Sequence, residues 1–581
     1  MRTNYIKSIF CWLLMLASGC LYAASPEAEF RKLTETWTLH EDGSQEYRYS
    51  KELTLFTHTA MNSTYGETFI IYNPDFQELK IHSAYVKQKN GQIIQTPANA
   101  FVEVLPANAA NAPAYNRLKE MVIVHTGLEL GATIYLDYSI LSKAGYLPEI
   151  DVCKTIEESS PIREYTLKFE FPASKTPYYQ LLQLKNQPQK SEQAGRQGWT
   201  WTFRNLPASS REKEVDLQNG DVAALVFTTY PSMTAALQTL YRQFDTAPSS
   251  RITALAASLI QNCTDQAEKI RAIQQYVLSD LSFCPLSLSE TGFRLRPATE
   301  VLTTAYGTAA EKVNLLTALL KAAGIEAVPA AALILPEQVE NGGLNAIRDL
   351  VVLAEADNQT YRLGVQNQQP VALMQTLMAL PDGQKTLPDL SKATIDYQAS
   401  ITISPDLSTD MQVKATFAKR FLPYTSNFAA DFLPGISQEE ISFQTDAVSL
   451  AGKGKGVLQN EQPYTILQLP NTPKGMGNTY AYDNSRREKN LSLPTTVEEN
   501  YRYDIQLPEN LTLCSVEGEK KIENAAGSLK ITMTATGSTV HIERSLRIDQ
   551  CLITPEIYPA FRQLMTEWAD RNGQLFLFKQ R

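Results

Sequence analysis

The feature that most constrains this chain is a change of period. From residue 25 to about 218, apolar and polar residues alternate in short runs bounded by turn residues. Near residue 230 the spacing becomes helical, and from about 390 it alternates again. A period of two buries one face of a strand, and an i, i+3, i+7 spacing buries one stripe of a helix. Two β-rich bodies therefore flank an α+β body. With 581 residues, the chain exceeds what one core organises and calls for about three or four domains.

In the first region, Thr36 to Tyr49 alternates around an Asp42-Gly43 turn, and Asn90-Gly91 between two strand-like runs reads as a hairpin. Further strands are expected at Met121–His125, Thr133–Ile140, Tyr165–Phe171 and Trp199–Phe203, the pattern of a β-sandwich. In the middle, Ile270, Ile273 and Val277 share a helix face. A later helix, from about Ala309 to Ala323, carries Val313, Leu316 and Leu320 at core spacing and stops at Gly324. Strands follow at Val328–Leu335, Leu350–Leu353 and Thr360–Leu363. In the last region Val497–Leu507, Ser528–Met533 and Val540–Ile548 alternate. A final helix is expected to open at Pro555, capped by Thr554, and to run to Trp568.

The net charge is −9, and no Lys/Arg run offsets it, which excludes a nucleic-acid partner. The N-terminus reads as a targeting leader. Arg2 and Lys7 precede the apolar run Ile9–Leu16, which is shorter than the ~20 residues a spanning helix needs. Ala17-Ser18-Gly19-Cys20 resembles a lipobox that would lipidate Cys20, although Ala stands where Leu is usual. Cleavage near Ala23 or Ala24 by an ordinary signal peptidase is the alternative. Both place the mature chain outside the cytoplasm, periplasmic or anchored at the envelope. Five cysteines lie beyond the leader: Cys153, Cys263, Cys284, Cys514 and Cys551. Cys514 and Cys551 fall in one β-rich region and either pair or are simply buried; no zinc-type spacing occurs.

The segment Phe293-Arg294-Leu295-Arg296-Pro297, then Tyr306-Gly307, then a helix ending Lys321-Ala322-Ala323-Gly324-Ile325-Glu326-Ala327 resembles the transglutaminase-like superfamily. There the turn before the helix reads roughly Tyr-Gly-Asp-Cys-Lys-Asp-Lys; here it is Tyr306-Gly307-Thr308-Ala309-Ala310-Glu311-Lys312. The N-terminal region resembles the domain of unknown function DUF3857. The C-terminal region, with Ile553-Thr554-Pro555-Glu556-Ile557-Tyr558-Pro559, resembles its usual partner DUF3858. The implied layout is a leader over 1–24, a β-sandwich over 25–218, a papain-like α+β domain over 219–385, a β-rich domain over 386–490, and a β domain with a terminal helix over 491–581.

The resemblance implies a cysteine at the first turn of a helix, where unpaired N–H groups lower a thiol pKa, a histidine on a neighbouring strand, and a carboxylate that orients it. Those positions fall on Ala309, Asp349 (or Ala346 if the loop gap moves) and Gly364. A methyl group cannot attack a carbonyl. The five histidines, His40, His58, His82, His125 and His541, all lie outside the middle domain. Thr308 and Glu311 nevertheless have capping-box spacing, so the helix start is kept without its reactive atom. Glu300, Glu311 and Asp349 are the carboxylates that could form a substitute pair, although solvated groups and caps are the commoner role of such residues.

The expectation is a non-catalytic envelope protein that binds or scaffolds a peptide, protein or polymer. Phe293, Arg294, Arg296 and Tyr306 are the residues placed nearest the former nucleophile. Neither cofactor nor metal is implied. The alternatives are an active hydrolase with an unrecognised residue set and a purely structural assembly protein.

Overall fold

The computed structural model describes residues 26–245, 247–366, 375–388, 392–418, 432–443, 447–479, 484–515 and 517–580. The leader 1–24 and Cys20 lie outside the described residues. Among the described residues no helix is long and apolar enough to cross a membrane.

The N-terminal domain is built on an eight-stranded sheet. Its centre runs in the order β6 (Ile162–Pro172), β1 (Ala28–Leu39), β2 (Gln45–Leu55), β4 (Thr133–Ser142), β3 (Gln77–Lys87), with β1 and β6 parallel and the other central neighbours antiparallel. Alternation sends Phe30, Leu33, Leu53, Leu167 and Phe169 inward, where they meet Trp201 and Phe227 in one core. Asn90-Gly91 does turn the chain between β3 and the short strand Ile93–Gln95, with Gly91 at φ +91°. A three-stranded sheet joins β5 (Asp151–Thr155), β7 (Ala224–Thr228) and the strand Tyr178–Leu182. The boundary at 218/219 is thereby corrected. β7 pairs with strands of the first domain, and it sends Leu225 and Phe227 into the first core and Ala224 and Val226 into the second.

In the middle domain, α1 (Ser250–Ile260), α2 (Gln266–Ser279), α3 (Ala298–Thr304) and α4 (Ala309–Ala322) pack with a five-stranded antiparallel sheet around one core. That sheet contains β8 (Glu326–Leu333), β9 (Ile347–Ala356) and β10 (Gln359–Leu363). One docking face was expected for α4, but every residue from Ala310 to Leu320 is buried. Its polar residues meet partners: the Lys312 ammonium donates to the Leu281 carbonyl at 3.0 Å, and Asn314 donates to Asp245 at 3.0 Å. Burial lowers the Lys312 pKa to about 8.

The two C-terminal segments form one body. β11 (Ala393–Ile403) lies parallel to β12 (Val497–Gln506) in a second eight-stranded sheet, so the division at 490/491 falls within one core. The last helix, α5 (Tyr558–Trp568), opens three residues later than expected, with Pro559 rather than Pro555 in its first turn. Thr554 accepts a turn bond from Tyr558 at 2.8 Å instead of capping the helix. No disulfide joins Cys514 to Cys551.

Candidate functional site

A cleft of about 370 Å³ opens where α4 begins. Its floor is Thr308, Ala309 and Ala310. One wall is the segment 283–289, and the other is Leu344, Asn345 and the start of β9 through Asp349 and Leu350, with Gln366 beside it. Local sequence explains the floor. The Thr308 hydroxyl accepts from the Glu311 N–H at 3.4 Å, and the Glu311 carboxylate accepts from the Thr308 N–H at 2.9 Å, a complete capping box. The first wall is set by a short parallel ladder, Ser282–Phe283 beside Tyr306–Gly307. Phe283 and Pro285 line the cleft, whereas Cys284 between them is buried away from it against Leu118 and Tyr306. Burial raises its thiol pKa.

The cleft thus brings Ala309 and Asp349 together and leaves Gly364 out. The Gly364 carbonyl accepts from the buried Gln274 amide at 3.0 Å, and Gln366 is the residue of that segment that reaches the cleft. Among the described residues the lining contains neither a cysteine nor a histidine. The histidines sit elsewhere: His82 bonds Ser139, His125 bonds Thr68, and His541 pairs with Asp504.

Phe293, Arg294, Arg296 and Tyr306 do not line the cleft. All four form the seam between the first and middle domains. Phe293, at φ +55°, meets Tyr146 edge to face at 5.7 Å. Arg294 donates to the Gly145 carbonyl and lies over Phe76. The Tyr306 hydroxyl accepts from the Ala114 N–H at 2.7 Å. Arg296 is packed 4.5 Å over the Tyr306 ring and donates to both oxygens of Glu311. Burial alone would raise the Glu311 carboxyl. The Arg296 guanidinium and the Tyr115 hydroxyl outweigh it and hold the group below the usual carboxylate range. Glu300 pairs more loosely with the same arginine at 3.8 Å. Glu300 and Glu311 thus share Arg296 outside the cleft, and of the three carboxylates only Asp349 lines it.

The second wall is held by long-range bonds to the first domain that no local sequence signal marks. Asn345 donates its N–H to the Asp151 carboxylate at 3.0 Å and its side-chain amide to the Asp151 carbonyl at 2.8 Å. Gly343 makes this approach possible, since a Cβ there would sit 2.2 Å from Asp151 Oδ1. Three residues on, Arg348 forks onto Asp216, with Nη1 to Oδ2 at 2.8 Å. Desolvation pushes the Asp151 carboxyl up to about 7. The first domain thus grips the cleft at its floor through Tyr115 and Glu311, and at its wall through Asp151 and Asp216.

A buried helix whose N-terminus opens on a cleft beside an antiparallel sheet is the arrangement of a transglutaminase-like core. The matches agree: residues 253–358 fit the transglutaminase-like superfamily, 41–210 fit the domain of unknown function DUF3857, and 464–578 fit DUF3858. A crystal structure described as "a putative protease from Parabacteroides distasonis" is 36% identical, covers 95% of this chain and 99% of its own, and superposes with a TM-score of 0.80. The chain belongs to that family of transglutaminase-like proteins flanked by DUF3857 and DUF3858. A "putative cysteine protease" from Cytophaga hutchinsonii is 10% identical over 71% of this chain and 97% of its own, at a TM-score of 0.19. An M1 zinc metallopeptidase from Deinococcus radiodurans is 11% identical over 40% of this chain and 54% of its own, also at 0.19. At those scores neither bears on this chain. None of the curated proteins matches.

Proposed function

We propose that this chain is a non-catalytic transglutaminase-like protein, exported to the cell envelope, whose middle-domain cleft binds an extended peptide or peptide-like polymer. One observation carries the reading. The cleft keeps its capped helix start and its two walls, yet presents the Ala309 methyl where a thiol would stand and Asp349 on the facing strand, with no imidazole. A floor without a nucleophile leaves room for a ligand backbone or unreactive side chain. The clamps from Tyr115, Asp151 and Asp216 keep the walls in place before any ligand arrives.

The test has two arms. Purified mature protein is assayed for hydrolysis of peptide substrates and for glutamine–lysine cross-linking; turnover abolished by alkylating Cys263 or Cys284 would favour the hydrolase alternative instead. A ligand recovered from envelope extract is then titrated against wild type and Ala309→Trp. Binding lost at an unchanged melting temperature supports the cleft, and equal affinities remove it as the binding surface.

A further inference from the structure

The outer face of the N-terminal sheet, opposite its core, is concave and holds a trough of about 470 Å³. Strand register explains its shape. Thr34, Ser50, Asp137 and Ser83 face one another across β1, β2, β4 and β3, a row of mostly small side chains. Two residues along each strand in one direction, the facing row is Lys32, Glu52, Tyr135 and Tyr85. In the other direction Lys168, Thr36 and Arg48 face one another. A low row between two tall ones makes a channel that crosses the strands.

The chemistry of this channel is specific. Tyr85 and Tyr135 stack on each other at 4.7 Å and an interplanar angle of 9°. Arg48 forks onto Asp137 at 2.9 and 2.7 Å. Among the described residues the hydroxyls of Thr34, Thr36, Ser50, Ser83, Tyr85 and Tyr135 have no hydrogen-bond partner within the protein, and Lys32 has no ion pair, although all line the trough. An apolar ligand would strand these groups. A peptide cannot add as a strand, because the central strands already spend their backbone groups on each other. A polyol fits: each hydroxyl both donates and accepts, as sugar hydroxyls do, and the outer faces and edges that the Tyr85–Tyr135 stack leaves uncovered offer apolar surface to the C–H side of a sugar ring.

We propose that this trough is a second binding site, for a glycan chain laid across β1, β2 and β4. It does not depend on the reading of the middle-domain cleft. The test is calorimetric titration of the mature protein with chitohexaose, cellohexaose and polygalacturonate, with poly-L-glutamate as the peptide probe. One or more of the saccharides is expected to bind, and Tyr135→Ala and Ser50→Trp, which respectively remove the stacked ring and fill the floor, are each expected to weaken it at least about tenfold. Should Tyr135→Ala lower the melting temperature, Thr34→Arg on the outer face takes its place. The proposal is overturned if no saccharide binds, if binding survives the substitutions, or if poly-L-glutamate alone is bound.

Discussion

Arg296 holds Glu311 as a fork, Nε to Oε1 at 2.8 Å and Nη2 to Oε2 at 2.9 Å, and the Tyr115 hydroxyl of the first domain donates to the same Oε1. The carboxylate two residues beyond Ala309 is thus committed to joining domains. Arg296→Ala would leave it buried without a counter-charge, held only by the Tyr115 hydroxyl and the Thr308 N–H, a loss of about 3–5 kcal/mol, read as a lower melting temperature at pH 7. Because the folded carboxyl sits below its ordinary value of 4.5, its contribution is present above that pH and is lost as pH falls through the folded pKa. The variant should therefore lose its deficit in acid. A melt identical to wild type at pH 7 would show that the seam is held elsewhere.

Asp151 has the opposite sign. Its folded pKa of about 7 lies above the ordinary 3.8, because burial penalises the charged form. The folded state holds the extra proton, so stability falls as pH rises between those values and is lowest above the upper one. Asp151→Asn, which can still accept from the Asn345 N–H, should flatten that slope and be more stable than wild type at pH 8. Denaturant titrations at pH 4, 6 and 8 check this; parallel curves for the two proteins would contradict it.

Ala309→Cys alone should not create a hydrolase. Without an imidazole in the lining, the new thiol keeps a pKa near about 8.5, eased only by the helix N-terminus, and has no acid to protonate a leaving group. Iodoacetamide should label it readily, which proves access, while peptide hydrolysis stays at background. Turnover by this single variant would mean that the Asp349 carboxylate supplies the missing base.

Substitution of Cys20 tests the lipidation that the leader sequence leads one to expect. If the Ala17-Ser18-Gly19-Cys20 run is processed as a lipobox, protein made in a Gram-negative host should take up labelled fatty acid and partition into detergent, and Cys20→Ser should abolish both. Unchanged behaviour in the variant assigns the leader to ordinary signal-peptide cleavage.

What could be read in advance was local. The capping box spans three residues, and Thr308 and Glu311 announce it in sequence; Asn90-Gly91 announces its hairpin in the same way. The alternating runs found the strands, though most extend a residue or more further. What could not be read depends on distant pairing. Tyr115 and Glu311 lie 196 residues apart, and Asp151 and Asn345 lie 194 apart. No spacing rule would have moved Arg296 from a cleft to a seam. The C-terminal division failed for the same reason, because β11 and β12 are parallel neighbours separated by a long excursion. Gly364 lies just beyond the end of β10 at Leu363 and outside the cleft lining, whereas Gln366, two residues on, is part of it.

The double membership of β7 bears on how the molecule comes apart. One strand of five residues supplies Leu225 and Phe227 to one core and Ala224 and Val226 to the next. Neither core can open without exposing apolar surface of the other, so the first two domains should melt as one cooperative transition. A middle domain expressed from residue 219 would carry β7 without its partners β5 and Tyr178–Leu182. It would present an unpaired edge and two bare aromatic and aliphatic side chains to solvent, the conditions under which strands find each other between molecules.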